Sequence, residues 1–184
     1  EHIFRLPDGM TDELPEQSLD WLKRYGLTDH EIAENYRYWP DKNRHVWHPD
    51  VTEPKFIEAR SVMPYATPKS LQFGDKIWAI ITQFELDTKS GEPICFVEDV
   101  VSKIKLQRYV NTVSLFGSNM PSHAVNYIVK LRPSKIFIWL DSDKFREANR
   151  MASLLRINTA QVSVVLNPED PKATPIEKIK EFLK

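Results

Sequence analysis

The stretch Ile94-Cys95-Phe96-Val97-Glu98-Asp99 decides how this sequence is interpreted. Four apolar residues typical of a buried strand end in two carboxylates, and a helical pattern follows directly. The same arrangement returns at Ile136-Phe137-Ile138-Trp139-Leu140-Asp141-Ser142-Asp143. In an open α/β sheet, ligands bind outside the carboxyl ends of the strands. The two acidic strand ends are therefore predicted to face one crevice, where their oxygen atoms suit a hard divalent cation.

Strand and helix patterns alternate from residue 94 to the end of the sequence. Strands are predicted at 94–97, 112–116, 135–140 and 161–166, and helices at 99–109, 121–131, 143–155 and 174–183. Alternation at this spacing is typical of βαβ units. It predicts a Rossmann-like lobe, in which a mainly parallel sheet has helices on both faces.

The first half of the sequence has a different pattern. Apolar residues at helical spacing predict a helix at 16–25 that stops at Gly26, and Thr28-Asp29-His30-Glu31 is a capping box for a second helix. Aromatic and β-branched residues then predict strands at 44–47, 56–62 and 77–86.

The chain is thus predicted to be an α/β protein with two lobes. A mixed α+β N-terminal lobe takes residues 1–92 and the parallel-sheet lobe takes residues 93–184, with the boundary near the turn at 91–93. None of its apolar runs approaches membrane-spanning length and no secretory signal is visible, so a cytoplasmic protein without membrane contact is expected. The single cysteine, Cys95, excludes an internal disulfide and a zinc ribbon in this chain.

The net charge of -1 hides an asymmetry between the two halves. Residues 1–97 carry 11 Lys and Arg against 17 Asp and Glu, whereas residues 98–184 carry 14 against 9. The basic half is the one that contains the predicted acidic crevice. Positive charge around a cation site favours a polyanionic, phosphate-bearing substrate.

Glu98, Asp141 and Asp143 are the candidate metal ligands and catalytic residues. Mg²⁺ is bound by a few carboxylates and keeps several waters, and two such ions can hold both the attacking and the leaving oxygen of a phosphoryl transfer. Nucleotidyl transfer or phosphodiester hydrolysis is the predicted reaction class. A structural alternative exists, because Asp143 and Asp99 also stand where helix N-caps are expected. Capping does not account for Glu98, which directly follows four apolar residues.

The order of these features resembles a Toprim domain. The resemblance rests on the strand ending in Glu98, the segment Val113-Ser114-Leu115-Phe116-Gly117-Ser118, the strand ending in Asp141-Ser142-Asp143, and the late Glu169-Asp170-Pro171-Lys172. Toprim domains occur in bacterial-type DNA primases, topoisomerases, recombination mediators and nucleases. The resemblance implies Mg²⁺, or Mn²⁺, bound by Glu98, Asp141 and Asp143.

Two positions depart from the family pattern. Asp99 stands where the family usually has Gly, and it is either a fourth metal ligand or a helix cap. Lys144-Phe145-Arg146 replaces a small, Gly-containing turn. Arg146 and Arg150 are predicted on the following helix, either meeting phosphate or lying on a solvated face.

The first half resembles the RNA-polymerase domain of a bacterial primase. There, a strand ending in Arg precedes a Pro-Lys-Tyr-Leu loop, which is similar to Phe56-Ile57-Glu58-Ala59-Arg60 followed by Pro68-Lys69-Ser70-Leu71. The resemblance implies that Arg60 and Lys69 contact nucleotide or template, with an exposed loop lysine as the alternative for Lys69. Trp21-Leu22 and Tyr25-Gly26-Leu27 are similar to the start of phage primase-like proteins.

Together these resemblances imply a DNA primase catalytic core of phage or plasmid type, located in the cytoplasm of the cell or of the phage host. Such a core makes short RNA primers from ribonucleoside triphosphates on single-stranded DNA, usually beside a replicative helicase. A Toprim nuclease that uses the same metals is one alternative function. A non-catalytic nucleic-acid-binding module, whose acids serve only as helix caps, is another.

Overall fold

The chain forms two compact units. The structure, a computed structural model, describes residues 4–49, 51–158 and 161–184. The first unit extends to Ala79 and the second begins at Ile80, so the division lies inside one helix. The sequence predicted the boundary after residue 92, at the turn that precedes the first parallel strand.

An antiparallel sheet is the centre of the first unit. Its elements are helices α1 (Glu16–Arg24) and α2 (Asp29–Asn35), and strands β1 (Tyr36–Trp39), β2 (Arg44–Trp47), β3 (Phe56–Arg60) and β4 (Ser70–Gly74). The strands lie in the order β1-β2-β3-β4, each antiparallel to the next. Val46, Ile57 and Ala59 form the buried core of this sheet, with Leu71 packed against it.

Helix α2 begins as the sequence predicts. The backbone N–H of Glu31 donates to Thr28 Oγ1 at 3.2 Å, and the N–H of Thr28 donates to Glu31 Oε1 at 2.9 Å. The capping box is therefore confirmed. Gly26, which follows α1, has a φ of 86°, a conformation that suits a residue without a Cβ atom.

Residues 77–86 form a helix, and the prediction of a strand there is wrong. Helix α3 (Lys76–Asp87) starts at Asp75, whose Oδ1 accepts from the N–H of Trp78 at 3.1 Å. Its most deeply buried residues, Ala79, Ile80, Gln83 and Phe84, recur three and four positions apart and so lie on one face. The capping Asp75 and this spacing outweigh the β-branched content that favoured a strand.

The second unit confirms the predicted alternation of strands and helices. Its remaining elements are β5 (Ile94–Val97), α4 (Val100–Leu106), β6 (Asn111–Ser114), α5 (Ser122–Leu131), β7 (Ile136–Ile138), α6 (Phe145–Arg156), β8 (Val162–Val164) and α7 (Ile176–Phe182). All four strands are parallel, in the order β6-β5-β7-β8. The predicted α/β fold class is therefore confirmed.

The strand order creates a crevice between β5 and β7. The chain leaves β5 through α4 toward β6 on one side, and leaves β7 through α6 toward β8 on the other. Crossovers between parallel strands are right-handed, so these opposite directions put α4 and α6 on opposite faces of the sheet. The loops after β5 and β7 diverge at this point, which is where open α/β sheets bind ligands.

Helix α3 covers the edge of this sheet at β6. The side-chain amide of Gln83 donates to the carbonyl of Ser114 at 2.9 Å and accepts from the N–H of Ser114 at 2.7 Å. Phe84 lies one position further along, with its ring centre 5.9 Å from that of Phe96 in β5. Among the helices that the structure describes, none is long and apolar enough to span a membrane.

Candidate active site

Glu98 and Asp141 meet at the crevice between β5 and β7. The backbone N–H of Asp141 donates to Glu98 Oε2 at 2.6 Å, which fixes the carboxylate of Glu98 beside the second acid. The carbonyl of Glu98 accepts from the N–H of Gly117 and from the hydroxyl of Ser114, both at 3.2 Å. The residues that follow two neighbouring parallel strands are thus joined by a hydrogen bond from the main chain of Asp141 to the carboxylate of Glu98, at the edge of the sheet where the sequence predicted that they would meet.

Asp141 is partly buried among other acids, which makes its ionised form unfavourable. Burial, followed by the charges of Glu98, Asp170 and Asp99, raises the pKa of Asp141 to about 7, and only the ammonium of Lys172 opposes this effect. At neutral pH, negative charge at this point of the crevice is not fully compensated by protein groups. A bound cation would relieve that repulsion.

Asp99 caps helix α4. Its Oδ1 accepts from the N–H of Ser102 at 2.9 Å and its Oδ2 accepts from the hydroxyl of the same residue at 2.8 Å. Lys172 Nζ lies 3.3 Å from Asp99 Oδ2. The helix-cap interpretation of Asp99 is confirmed, while its role as a metal ligand stays a prediction.

Asp170 and Lys172 belong to the same acidic cluster, and the sequence did not identify their role. Lys172 Nζ lies 3.1 Å from Asp170 Oδ2. Burial tends to lower the pKa of Lys172, but the carboxylates of Asp99 and Asp170 outweigh it, so that the pKa is raised and the ammonium stays charged. The four residues 169–172 appeared in the sequence only as part of a resemblance, with no signal for this ion pairing.

Asp143 is exposed in a short 3₁₀ turn, Ser142–Lys144, that precedes α6. Helix α6 has no side-chain cap, so the interpretation of Asp143 as its N-cap is wrong. Across the described parts of the chain, no three His, Cys, Asp or Glu side chains gather into a ready site for an ion. The assignment of Glu98, Asp141 and Asp143 as a catalytic, metal-binding set therefore stays a prediction.

Glu98 and Asp141 nevertheless suit Mg²⁺ or Mn²⁺. Both offer carboxylate oxygens, the hard ligands that these ions prefer, and their repulsion is the electrostatic condition that a cation relieves. Mg²⁺ commonly takes one or two protein carboxylates and completes its shell with water and substrate phosphates. A pair of acids is sufficient for such an ion without a closed cage.

A cavity of about 320 Å³ opens beside Asp141, at the carboxyl ends of β7 and β8. Its walls are mostly apolar and are formed by Leu140, Asp141, Ser142, Phe145, Ala148, Val164, Val165, Leu166, Asn167 and Pro168. The Phe145 ring is 50% exposed at the start of α6, so it offers a face to a ligand. Arg146 and Arg150 are exposed on the same helix, and their contact with phosphate stays a prediction.

In the first unit, Arg60 and Lys69 occupy the ends of β3 and of the following loop. The guanidinium of Arg60 lies 5.2 Å from the ring centre of Trp21 and donates to Ser70 Oγ at 3.4 Å. Lys69 Nζ donates to the carbonyls of Met63 and Pro64 at 2.7 and 2.9 Å. Lys69 therefore closes its own loop, a structural role that the sequence did not predict.

Arg44 and His45 are two buried basic residues whose roles the sequence did not reveal. Arg44 donates to the carbonyls of Lys69 at 2.7 Å, Pro68 at 2.8 Å and Ala59 at 3.3 Å, and so holds the loop before β4 against β3. Burial, and then the charge of Arg60, lowers the pKa of His45 to about 3, so His45 is neutral. Their position in a short strand gave no sign that both are buried.

The comparisons with known proteins concern the fold. No family model matches the chain, and no curated protein matches its sequence significantly. The fold resembles the crystal structure of the Aquifex aeolicus primase, comprising zinc-binding and RNA polymerase domains, with a TM-score of 0.62 and 17% sequence identity. The match covers 91% of this chain and 53% of the Aquifex aeolicus chain. The present chain therefore spans about half the length of the protein that it matches.

Proposed function

We propose that this chain is the catalytic core of a DNA primase, with a Toprim lobe that carries the metal site. The observation that carries the proposal is the contact between Glu98 and Asp141 at the crevice of a primase-like fold. Charge repulsion at Asp141 supports cation binding there. The proposed reaction is the synthesis of short RNA primers on single-stranded DNA from ribonucleoside triphosphates.

The proposed chemistry depends on positioning and charge. Mg²⁺ or Mn²⁺, when bound, would neutralise the triphosphate and activate the primer hydroxyl. Glu98, fixed by the N–H of Asp141, would hold its carboxylate toward the ion, and Asp141 would do the same once deprotonated. Asp143, exposed two residues after Asp141, is the third proposed ligand. No covalent protein nucleophile is needed for this kind of transfer.

The cavity beside Asp141 has a size that suits the base and sugar of one nucleotide. A nucleotide whose phosphates were bound near Asp141 would reach this cavity with its base, and the exposed ring of Phe145 would stack on it. Arg146 and Arg150 follow on the same helix and are proposed to contact phosphate. Arg60 and Lys69 are proposed to contact nucleotide or template.

The wider setting belongs to the same proposal. A phage or plasmid replication system, a replicative helicase as partner and the cytoplasm of the cell or host are the expected context. The matched structure contains a zinc-binding domain, whereas the single cysteine of this chain excludes a zinc ribbon within it. Template selection would therefore come from another part of the protein or from a partner.

A primer-synthesis assay tests the proposal. Purified protein with ribonucleotides, Mg²⁺ and single-stranded DNA should produce short RNA, and Asp141→Asn should abolish it. Asp20→Asn, a change at an exposed position of α1, is the matched control and should retain activity. Undiminished synthesis by the Asp141 variant would disprove the assigned site.

The same preparations separate the alternatives. Cleavage of labelled DNA with Mg²⁺ or Mn²⁺ and without nucleotides, lost in Asp141→Asn, would replace the primase proposal with a nuclease. Binding of single-stranded DNA without synthesis or cleavage, unchanged by that variant, would favour a non-catalytic module.

A further inference from the structure

Tyr65 lies in the middle of the loop that joins β3 to β4, residues 61–69. Its side chain is 75% exposed, the highest value among the large apolar side chains described in the first unit. The ring therefore contributes little to the packing of this unit. Aromatic rings combine a large apolar surface with little conformational freedom, which makes an exposed one a good contact for another molecule.

The backbone on the N-terminal side of Tyr65 is fixed by Lys69. The N–H of Ser61 donates to the carbonyl of Lys69 at 2.9 Å, where the loop closes. The ammonium of Lys69 reaches back across the loop and donates to the carbonyls of Met63 and Pro64 at 2.7 and 2.9 Å. The carbonyl of Pro64 belongs to the peptide bond that leads into Tyr65. The ring is thus attached to an ordered backbone, directly beside a positive charge.

Positive charge gathers around this loop without neighbouring acids. Arg44, Arg60 and Lys69 each donate to uncharged oxygen atoms. None of the three forms an ion pair with a carboxylate in the described ranges of the chain. Burial, and then the charge of Arg60, lowers the pKa of Arg44, so the two guanidinium groups are close enough to repel each other. An anion bound at this loop would relieve that repulsion.

Lys69 can hold the loop and still bind an anion. An ammonium group has three N–H donors, and the two carbonyls of the loop use two of them. The side chain of Lys69 is exposed, so the third donor is within reach of a phosphate from solvent.

The loop therefore combines uncompensated positive charge with an exposed ring on a fixed backbone. Single-stranded nucleic acid is bound by this combination, because its phosphates meet the cations while its unpaired bases stack on aromatic rings. The bases of a duplex are stacked on one another and are not available to such a ring. We infer that Tyr65 stacks on a base of single-stranded DNA and that Lys69 contacts the phosphate next to that base.

This inference rests on the proposed function for its choice of DNA as the ligand, and binding without synthesis tests it. Fluorescence anisotropy of a labelled oligodeoxythymidine, with a chelator and without nucleotides, gives the affinity. Tyr65→Ala should weaken binding by about tenfold, within the range for one base stacked on a ring. Tyr65→Phe keeps the ring and should keep the wild-type affinity. Leu86→Ala, which removes a side chain that is 60% exposed on α3, should also leave the affinity unchanged.

Two further measurements separate stacking from charge. An abasic oligonucleotide keeps its phosphates without bases, so the wild type and Tyr65→Ala should bind it equally. On oligodeoxythymidine the two proteins should show the same dependence of affinity on salt, because stacking releases no counterions. Lys69→Met should reduce the slope of log affinity against log salt concentration by about 0.7, since one phosphate contact is lost.

Equal affinities of the wild type and Tyr65→Ala for oligodeoxythymidine overturn the inference, which is also the result expected if the ring binds a protein. A loss in Tyr65→Ala that persists on the abasic oligonucleotide overturns it as well. Circular dichroism checks that each variant is folded, and Tyr65→Gln, which also lacks the ring, replaces Tyr65→Ala if that variant is not.

Failure of this inference is distinguishable from failure of the proposed function. Weaker binding by Tyr65→Ala, in a protein whose wild type makes no primers, supports the contact at Tyr65 and refutes the primase proposal. Primer synthesis by a wild-type protein whose Tyr65→Ala variant binds single-stranded DNA equally well does the reverse.

Discussion

Replacing Asp141 by Asn should stabilise the metal-free protein at pH 8 and have little effect at pH 4. Asn keeps the backbone N–H that donates to Glu98, so the contact between the two loops survives. It removes the negative charge that burial and the charges of Glu98, Asp170 and Asp99 make unfavourable, against the weaker opposing effect of Lys172. The gain in stability should thus come from relieved repulsion.

The pH dependence of the stability difference follows from the raised pKa of Asp141. The folded protein holds a proton on Asp141 up to about pH 7, whereas the unfolded chain releases it near its ordinary pKa of 3.8. Between these values the folded state binds more protons, so wild-type stability falls as pH rises through this window. The Asp141→Asn protein has no carboxyl group at this position and does not lose stability in this way. Its free energy of unfolding relative to the wild type should therefore grow from pH 4 to pH 7 and then level off.

The size of the pKa shift of Asp141 sets an upper limit on the gain in the free energy of unfolding. A change from 3.8 to about 7 corresponds at most to roughly 4 kcal/mol, at 1.36 kcal/mol per pKa unit. Asp141 is only partly buried, so solvent screening reduces this value, and about 1–2 kcal/mol is expected at pH 8. In a protein of this size, that free energy of unfolding raises the melting temperature by about 2–8 °C.

Thermal denaturation in the presence of a chelator, at pH 4, 6 and 8, measures the effect. Asp20→Asn is the control for the loss of one charge. A melting temperature of Asp141→Asn at or below that of the wild type at pH 8 would refute the reasoning, and so would an equal advantage at pH 4. Adding Mg²⁺ at pH 8 should stabilise the wild type more than the variant, because only the wild type keeps both carboxylates.

Three further outcomes are expected. Arg44→Met should lower the free energy of unfolding by about 2–4 kcal/mol in urea denaturation, because three carbonyls lose a charged donor; a loss under about 1 kcal/mol would contradict that role. Asp99→Ala should cost about 1 kcal/mol through the lost cap, and Asp99→Ser should recover part of it; equal melting temperatures of both variants and the wild type would argue against the cap. Phe145→Ala should weaken binding of a fluorescent ribonucleotide about tenfold if a base stacks on the ring, whereas Leu154→Ala, exposed on the same helix, should not; equal affinities would remove the base from this cavity.

The second unit was largely predictable because its strands are buried on both faces. Ile94–Val97 and Ile136–Ile138 appear in the sequence as short apolar runs between helical patterns. Since parallel strands place their carboxyl ends at one edge, the meeting of Glu98 and Asp141 followed from their positions alone. The chemistry was less predictable than the geometry, because the metal-binding role of these acids still depends on a resemblance.

Two of the features that were not predicted depend on tertiary contacts. The burial of Arg44 follows from carbonyls in a distant loop, and the pairing of Lys172 with Asp99 joins residues far apart in the sequence. Helix α3 was mistaken for a strand because its β-branched residues favour strands locally, while Asp75 marked the start of a helix. For Arg44 and Lys172 the deciding contacts are therefore long-range, whereas the cap of α3 is a signal in the local sequence.

The pairing of Gln83 with Ser114 has a consequence for how the protein behaves in solution. Strand β6 lies at an edge of the parallel sheet, and such an edge offers free peptide groups to any other extended chain. Here the side-chain amide of Gln83 occupies both peptide groups of Ser114, much as a neighbouring strand would. A second molecule that tried to extend the sheet at β6 would first have to displace helix α3, so this edge is protected against edge-to-edge aggregation.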